Sequence, residues 1–424
     1  MRLSRYAERF SADSATVGLM QDLGTARQRK GPVYMLGGGN PAHIPAVAQA
    51  FQEAWLSLGH DPEGLGFVLG EYDQPQGNAE FIEALAALLK RQFGWALSSD
   101  NIAITNGSQA SFGMLFNSLA GEFEDGRWRK ILLPLTPEYV GYSDVGIHPH
   151  PLFEALPPTI EKHPNGFFKY RVDFDRLDID DRYGAVCVSR PTNPTGNVIT
   201  DKELRELAKR CRAAGVPLII DGAYGLPFPN MVFRDALPLW DSNIILCLSL
   251  SKLGLPGVRT GIIVADKPII ELVKRANAIN NLAPGSVGPA LVTDMLRDGS
   301  LMTLCNQTIR PYYHQRVQHA VGLAKTLMAD LPLWIHEPEG ALFMWLWFED
   351  LPVTSAALYQ RLVKEGVYII AGEHFFPGLN IDWPHKYECI RVNYAAPEQT
   401  VETGLGIIAR VVRDIYTEVL RLRV

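Results

Sequence analysis

Five short apolar runs punctuate the middle of the chain, at 131–135, 185–189, 216–221, 244–250 and 261–265. They are rich in β-branched residues and run on without polar alternation, as strands covered on both faces do. Around them apolar residues recur at helical spacing, which predicts helices over 81–93, 201–214 and 267–279. Thr200, with Glu203 three residues on, has the form of a capping box at the second helix. Strands alternating with helices predict an α/β fold with a mostly parallel sheet flanked by helices. After about residue 300 the texture changes. A helix over 310–328, the aromatic run 341–348, a helix over 355–365, the segment 366–370 and a last helix near 401–422 predict a smaller α+β domain. The Pro and Gly content of the first 45 residues argues against long regular elements there. The expected division is therefore 1–45 as an N-terminal segment packing with the small domain, 46–305 as the large domain, and 306–424 as the small C-terminal domain.

Length agrees with this division, since 424 residues exceed one ordinary domain. Apolar residues at 47% leave ample material for a core, and a net charge of -6 gives no reason to expect nucleic acid or an anionic membrane as partner. Five cysteines, an odd number without CxxC spacing, read as buried thiols in a reducing compartment. The N-terminus has no signal-peptide core, and no apolar stretch approaches the roughly 20 residues of a membrane span. A cytoplasmic chain is expected.

Four segments carry candidate chemistry. In Leu248-Ser-Leu-Ser-Lys252-Leu-Gly-Leu-Pro-Gly-Val-Arg259, an apolar strand ends at a lysine and a Gly/Pro loop leads to an arginine. A lone lysine at a strand end is ordinarily a solvated charge. Here the apolar run would bury its stem and depress its pKa, as a nucleophilic amine requires. Ser249, Ser251 and Arg259 offer hydroxyl and guanidinium donors to a phosphate. Asn106-Gly-Ser108-Gln109 opens an amphipathic run and is either a plain cap or an anion site at a helix N-terminus. In Val216-Pro-Leu-Ile-Ile-Asp221-Gly-Ala-Tyr224, an acid terminates an apolar strand, where ligands meet open α/β sheets. It is a turn aspartate or the partner of a buried cation such as a protonated pyridine nitrogen. Ser189-Arg-Pro-Thr-Asn193-Pro-Thr-Gly196 is a rigid turn whose Asn193 amide can also reach a ligand. Phosphate donors, an acid, an amide and a lysine at one sheet edge match the needs of pyridoxal 5'-phosphate.

With these motifs, together with Gly37-Gly-Gly-Asn-Pro-Ala42, Tyr72-Asp-Gln-Pro-Gln-Gly77 and Phe375-Phe-Pro-Gly378, the chain resembles the class I/II aminotransferases from about Met35 to Tyr394. Within that family it is most similar to the branch that exchanges amino groups between valine and pyruvate. The resemblance implies the fold type I of these enzymes, a large, mostly parallel seven-stranded sheet domain with a smaller α+β domain, and a homodimer. It implies that Lys252 holds the cofactor covalently and carries the proton. Asp221 would pair with the pyridine nitrogen, and Asn193 and Tyr224 would contact the phenolic oxygen. Ser108, Gln109, Ser249 and Arg259 would hold the phosphate, with Tyr72 reaching into the neighbouring subunit. Tyr139 would stack on the ring, Arg391 would fork onto the substrate carboxylate, and Gly38, Gly39 and Asn40 would close over substrate. Relatives acting on dicarboxylic substrates use a further arginine that no motif here identifies; Arg275, nearest in the chain, lies in a charged helix. That departure agrees with an aliphatic donor such as valine without selecting which one. The same scaffold also hosts other aminotransferases, β-lyases and decarboxylases, and cofactor-binding regulators with an added DNA-binding domain, for which no basic cluster or helix-turn-helix is present.

Overall fold

Strand Leu218–Asp221 lies at the middle of a sheet whose strands are buried almost throughout. The computed structural model describes residues 2, 4, 7, 14–26, 31–148 and 150–422. Across the sheet the order is Ile102–Thr105, Gly261–Val264, Ile244–Ser249, Leu218–Asp221, Tyr183–Ser189, Trp128–Leu133 and Phe153–Ala155, with the two-residue strand Gly121–Glu122 added antiparallel at the edge. Six of the seven main strands are parallel; Gly261–Val264 runs against both neighbours. Its link to Ile244–Ser249 is too short for the crossover that a parallel partner needs. Pro217, which has no N–H to give, delays the start of the central strand from the expected 216 to 218.

Helices Ser108–Leu119 and Asp201–Ala213 connect strands of this sheet, Ala79–Phe93 leads into its first strand and Lys267–Asn281 follows Gly261–Val264. The expected capping box is present: Thr200 Oγ1 accepts from the Glu203 amide at 3.2 Å, and Glu203 Oε2 accepts from the Thr200 amide at 3.0 Å. A second sheet orders Ile370–Ala371, Cys389–Asn393, Phe343–Phe348, Leu333–His336, Phe167–Arg171 and Thr159–His163. Its last two strands form a hairpin lying inside the span 46–305, so the second sheet is not built from the C-terminal residues alone. Helices Arg310–Leu327, Ser355–Lys364 and Glu398–Leu422 accompany it.

The N-terminal expectation needs correcting. Ala15–Ala26 is a twelve-residue helix despite Gly18 and Gly24. The prolines that spoke against regular structure, Pro32, Pro41 and Pro45, follow it, and Ser14 caps it by accepting from the Val17 amide at 3.1 Å. The Ser14 hydroxyl also donates to Asp144 at 2.7 Å, which pins this helix beside the segment after Trp128–Leu133. Further on, Tyr34–Met35 pairs in parallel with Val367–Tyr368. Among the described residues no helix is long and apolar enough to cross a membrane. All five cysteines are buried and unpaired.

Candidate active site

Parallel strands bring their carboxyl ends to one edge, and the residues following them therefore meet. Ser108 follows Ile102–Thr105, Tyr139 follows Trp128–Leu133, and Asn193 follows Tyr183–Ser189. Asp221 ends Leu218–Asp221, and Lys252 follows Ile244–Ser249. The one antiparallel strand begins at this edge, with Gly261 opposite both Ser249 and Thr105, and that reversal is what brings Arg259 in. The edge opens into a cavity of about 560 Å³.

At its centre the Lys252 ammonium donates to the Gly39 carbonyl at 2.7 Å and lies 5.1 Å from the centre of the Tyr224 ring. Burial, then the charges of Arg391 and Arg259, push it down to about 8. Asp221 is buried, accepting from Tyr142 OH at 2.7 Å and from the Ala223 amide at 3.0 Å. Burial raises its pKa, the two hydrogen bonds and Lys252 opposing.

Arg391 comes from the neighbouring sheet, on Cys389–Asn393, and is 2% exposed. Its guanidinium donates to Asn193 Oδ1 at 2.7 Å and to the Gly37 carbonyl. It lies 3.9 Å over the Phe343 ring and 5.3 Å from the Phe375 ring centre, and its buried Nε has no partner among the described residues. Burial pulls its pKa down to about 10. The carbonyls of Gly37, Gly38 and Gly39 thus accept in turn from Arg391, Asn393 and Lys252.

On the other side, Gly107 (φ 90°) leads into helix Ser108–Leu119. A Cβ there would collide with the Arg259 guanidinium, so only glycine lets the arginine lie against the helix N-terminus. Ser249 Oγ accepts from the Ser251 amide at 3.1 Å, and Arg259 reaches Ser251 Oγ at 3.4 Å. These donors surround a space suited to an anion. The Gln109 amide is turned to the Gly141 carbonyl at 3.0 Å.

A sequence model for the class I and II aminotransferases matches residues 33–408. The chain belongs to that family. The aminotransferase is 46% identical to the valine–pyruvate aminotransferase of Escherichia coli (strain K12), over 99% of this chain and 100% of the relative. It superposes with a TM-score of 0.87 on the crystal structure of the valine–pyruvate aminotransferase of Salmonella typhimurium LT2, 45% identical over 95% of this chain and all of that one. A putative amino-acid aminotransferase from Psychrobacter arcticum 273-4, 47% identical over 98% of this chain and 99% of that one, superposes at 0.95. The family uses pyridoxal phosphate.

The aminotransferase cavity gathers Lys252, Asp221, Tyr224, Asn193, Tyr139 and Arg391, with Ser108, Gln109, Ser249 and Arg259 on the anion side and Gly39 and Asn40 on the other. Gly38 takes part through its carbonyl rather than in the lining. Tyr72 is 77% exposed and lies outside the cavity of its own chain. Sequence reasoning missed Tyr142 and Glu138, although both flank Tyr139 within Thr136-Pro-Glu-Tyr-Val-Gly-Tyr142, where an acid inside an otherwise apolar stretch is a signal. It also missed Met20 and Gly24, which line the cavity from the N-terminal helix and have no mark in the sequence.

Proposed function

We propose that this aminotransferase moves the amino group of valine, or a similar aliphatic amino acid, to pyruvate, giving 2-oxoisovalerate and alanine with pyridoxal 5'-phosphate on Lys252. The observation that carries the reading is the convergence on one cavity of an amine, a carboxylate and a guanidinium that form no ion pair among the described residues. Buried charges are ordinarily paired, so three left open imply that a ligand supplies their partners. The site fits the cofactor. Gly107 leaves no room for a side chain beside Arg259 and the helix N-terminus, which suits a phosphate, and Asp221 at the opposite end suits a protonated pyridine nitrogen.

In this reading Ser108, Gln109, Ser249 and Arg259 hold the phosphate, Tyr139 covers the ring, and Asn193 and Tyr224 meet the phenolic oxygen. When bound, pyridoxal phosphate supplies an electron sink for negative charge developing at the substrate α-carbon. Arg391 forks onto the α-carboxylate and satisfies its orphaned Nε or a neighbouring donor. Lys252, with its depressed pKa, would take the α-proton as a free amine and give it up again as an ammonium, acting as general base and then general acid. Asp221 holds the proton on the ring nitrogen. Gly39 and Asn40 close the substrate side. Donor and acceptor use the same groups in turn, so the kinetics are ping-pong.

The specificity rests on what lines the cavity. Among the described residues its charged groups are Asp221, Lys252, Arg259 and Arg391, all given roles above, which leaves none of them for a distal carboxylate. Arg275 lies exposed on Lys267–Asn281 and does not line the cavity. Met20 and Val140 contribute apolar surface instead. The reading also makes the protein a homodimer in which the partner subunit's Tyr72 completes the phosphate site, and its five free thiols suit the cytoplasm.

Borohydride reduction of the cofactor-loaded chain followed by peptide mapping tests the attachment, with a single label expected at residue 252. A donor and acceptor panel tests the substrates: valine with pyruvate should exceed aspartate with 2-oxoglutarate by about 100-fold, the scale of discrimination against an unpaired charge. A label elsewhere overturns the attachment, and equal rates with aspartate overturn the specificity.

A further inference from the structure

Beneath the cavity a second carboxyl group lies near Asp221, and the charge that acts on it has the same sign. Glu138 is 1% exposed. Its Oε1 accepts from the Ser189 amide at 2.8 Å, and its Oε2 pairs closely with Ser189 Oγ. Ser189 Oγ lies 3.4 Å from Tyr142 OH, and Tyr142 OH donates to Asp221 Oδ2 at 2.7 Å. Four residues from three strand ends therefore form one buried line from Glu138 to Asp221.

Counting protons along the line gives it a direction. Tyr142 has one proton, and it is committed to Asp221, so the phenolic oxygen is left to accept. Ser189 is the hydroxyl within reach to donate to it, and a Ser189 that donates there leaves its close oxygen pair with Glu138 without a proton unless Glu138 supplies one. An ionised Glu138 has none to offer; a protonated one does. We infer that Glu138 is a neutral acid donating to Ser189, and that the chain Glu138, Ser189, Tyr142 delivers an aligned hydrogen bond to Asp221, making Glu138 a positioning residue for transamination. The inference takes from the proposed function only that Asp221 must face the cofactor as an anion.

The surroundings agree. Two carboxylates sharing one dry site do not both ionise. Burial first, opposed by hydrogen bonds from the Ser189 hydroxyl and the Ser189 and Tyr139 amides and reinforced by Asp221, pushes Glu138 up to about 8. The other titratable groups facing it are Cys187, Tyr139 and Tyr142, all neutral because burial raises each of them, while Lys252 favours the charge on Asp221.

Infrared titration of the full chain without cofactor tests the protonation. A protonated-carboxyl band that shifts on carboxyl-13C labelling of glutamate should be present at pH 7, vanish as pH rises through about 8, survive Asp221→Asn and Glu388→Gln, and be missing in Glu138→Gln. The loaded enzyme tests the role. Glu138→Ala should lose about tenfold or more in kcat with little change in donor KM, the scale of a hydrogen bond to a charged group. Glu138→Gln, whose amide reproduces one donor and one acceptor, should recover most of that loss and remove the fall in rate above pH 8. Absence of a glutamate-sensitive band at pH 7, which needs no variant to observe, overturns the inference. So does a Glu138→Gln enzyme as slow as Glu138→Ala. Should the chain prove not to transaminate valine, the band would still be present, so the two failures are distinguishable.

Discussion

Lys252 is held among charges of its own sign. Arg391 and Arg259 reinforce the effect of burial in lowering its pKa, and Asp221 alone opposes them. Below about 8 the group is an ammonium and cannot attack a carbonyl; above, it is a free amine. Labelling of the cofactor-free chain by pyridoxal phosphate and borohydride should therefore speed up as pH rises through about 8 and level off there. A rate still climbing towards the ordinary lysine range would show that the field described here does not act. Removing one of its sources, in Arg391→Ala, should move the rise to higher pH. The same variant loses the fork for the α-carboxylate, so its KM for amino acids should rise by about 100-fold or more in steady-state assays. Asp221→Asn should cut kcat by roughly 100- to 1,000-fold, as loss of a preorganised electrostatic group does; a rate within threefold of wild type would count against its pairing. Lys252, Asp221 and Arg259 were legible because each ends or follows an apolar run at a strand terminus. Tyr142 was not, because a tyrosine among apolar neighbours looks like core until the fold aims its hydroxyl at Asp221. Arg391 was legible only through its likeness to the family, since the contacts that mark it come from Gly37, Asn193 and Phe343, far away in the chain.

Helix Ser108–Leu119 shows how one element serves both fold and site. Its C-terminal end packs on strand Tyr183–Ser189 at Gly184, where a Cβ would run into the Leu119 carbonyl. Its N-terminus faces the anion side of the cavity through Ser108 and Gln109. Gly184→Ala should therefore cost about 3 kcal/mol, the upper range for forcing extra volume into a packed interior, and loosen the cofactor as well. Denaturant unfolding and cofactor retention on dialysis should both register it; a variant with wild-type values for both would show that the helix end is free to move. Thr200→Ala, by contrast, removes a cap remote from the cavity and should cost about 1 kcal/mol while leaving cofactor retention alone. The parallel strands and their helices could be read from apolar runs because burial on both faces writes an unbroken pattern. The hairpin Thr159–His163 and Phe167–Arg171 could not. Its outer strand reads Thr, Ile, Glu, Lys and His at a sheet edge, and no local feature says that its inner strand, Phe167–Arg171, pairs across to Leu333–His336. The helix Ala15–Ala26 was hidden for the opposite reason, since its two glycines weigh against a helix that a cap and its neighbours nevertheless stabilise.

At the scale of the whole molecule, helix Pro62–Gly70 is the element the single chain leaves unexplained. Its sequence, PEGLGFVLG, is mostly apolar, yet it has no buried residue. Phe67 and Leu69 are exposed there, with Trp55 and Leu56 on the preceding helix and Tyr72 just beyond. Apolar surface of this kind on a folded protein marks an interface, and the proposed dimer would cover it with a second copy under twofold symmetry. The proposed dimer goes further, because it gives each site a residue from the other chain, and that has a consequence no monomer can imitate. A Lys252→Ala chain has no amine to link the cofactor or carry the proton in its own cavity, but it still presents an intact Tyr72. A Tyr72→Ala chain keeps its lysine and damages only its partner's phosphate site. In a mixed dimer one cavity combines both defects and the other has neither. Random reassociation of equal amounts makes half the dimers mixed, each with one intact site, so about a quarter of wild-type activity should return from two weakly active or inactive preparations. The assay is unfolding and refolding the two variants together and separately, with sedimentation to confirm the dimer. Activity after mixing that merely equals the average of the separate samples would mean that Tyr72 serves no neighbouring site, and the apolar helix would then need another partner.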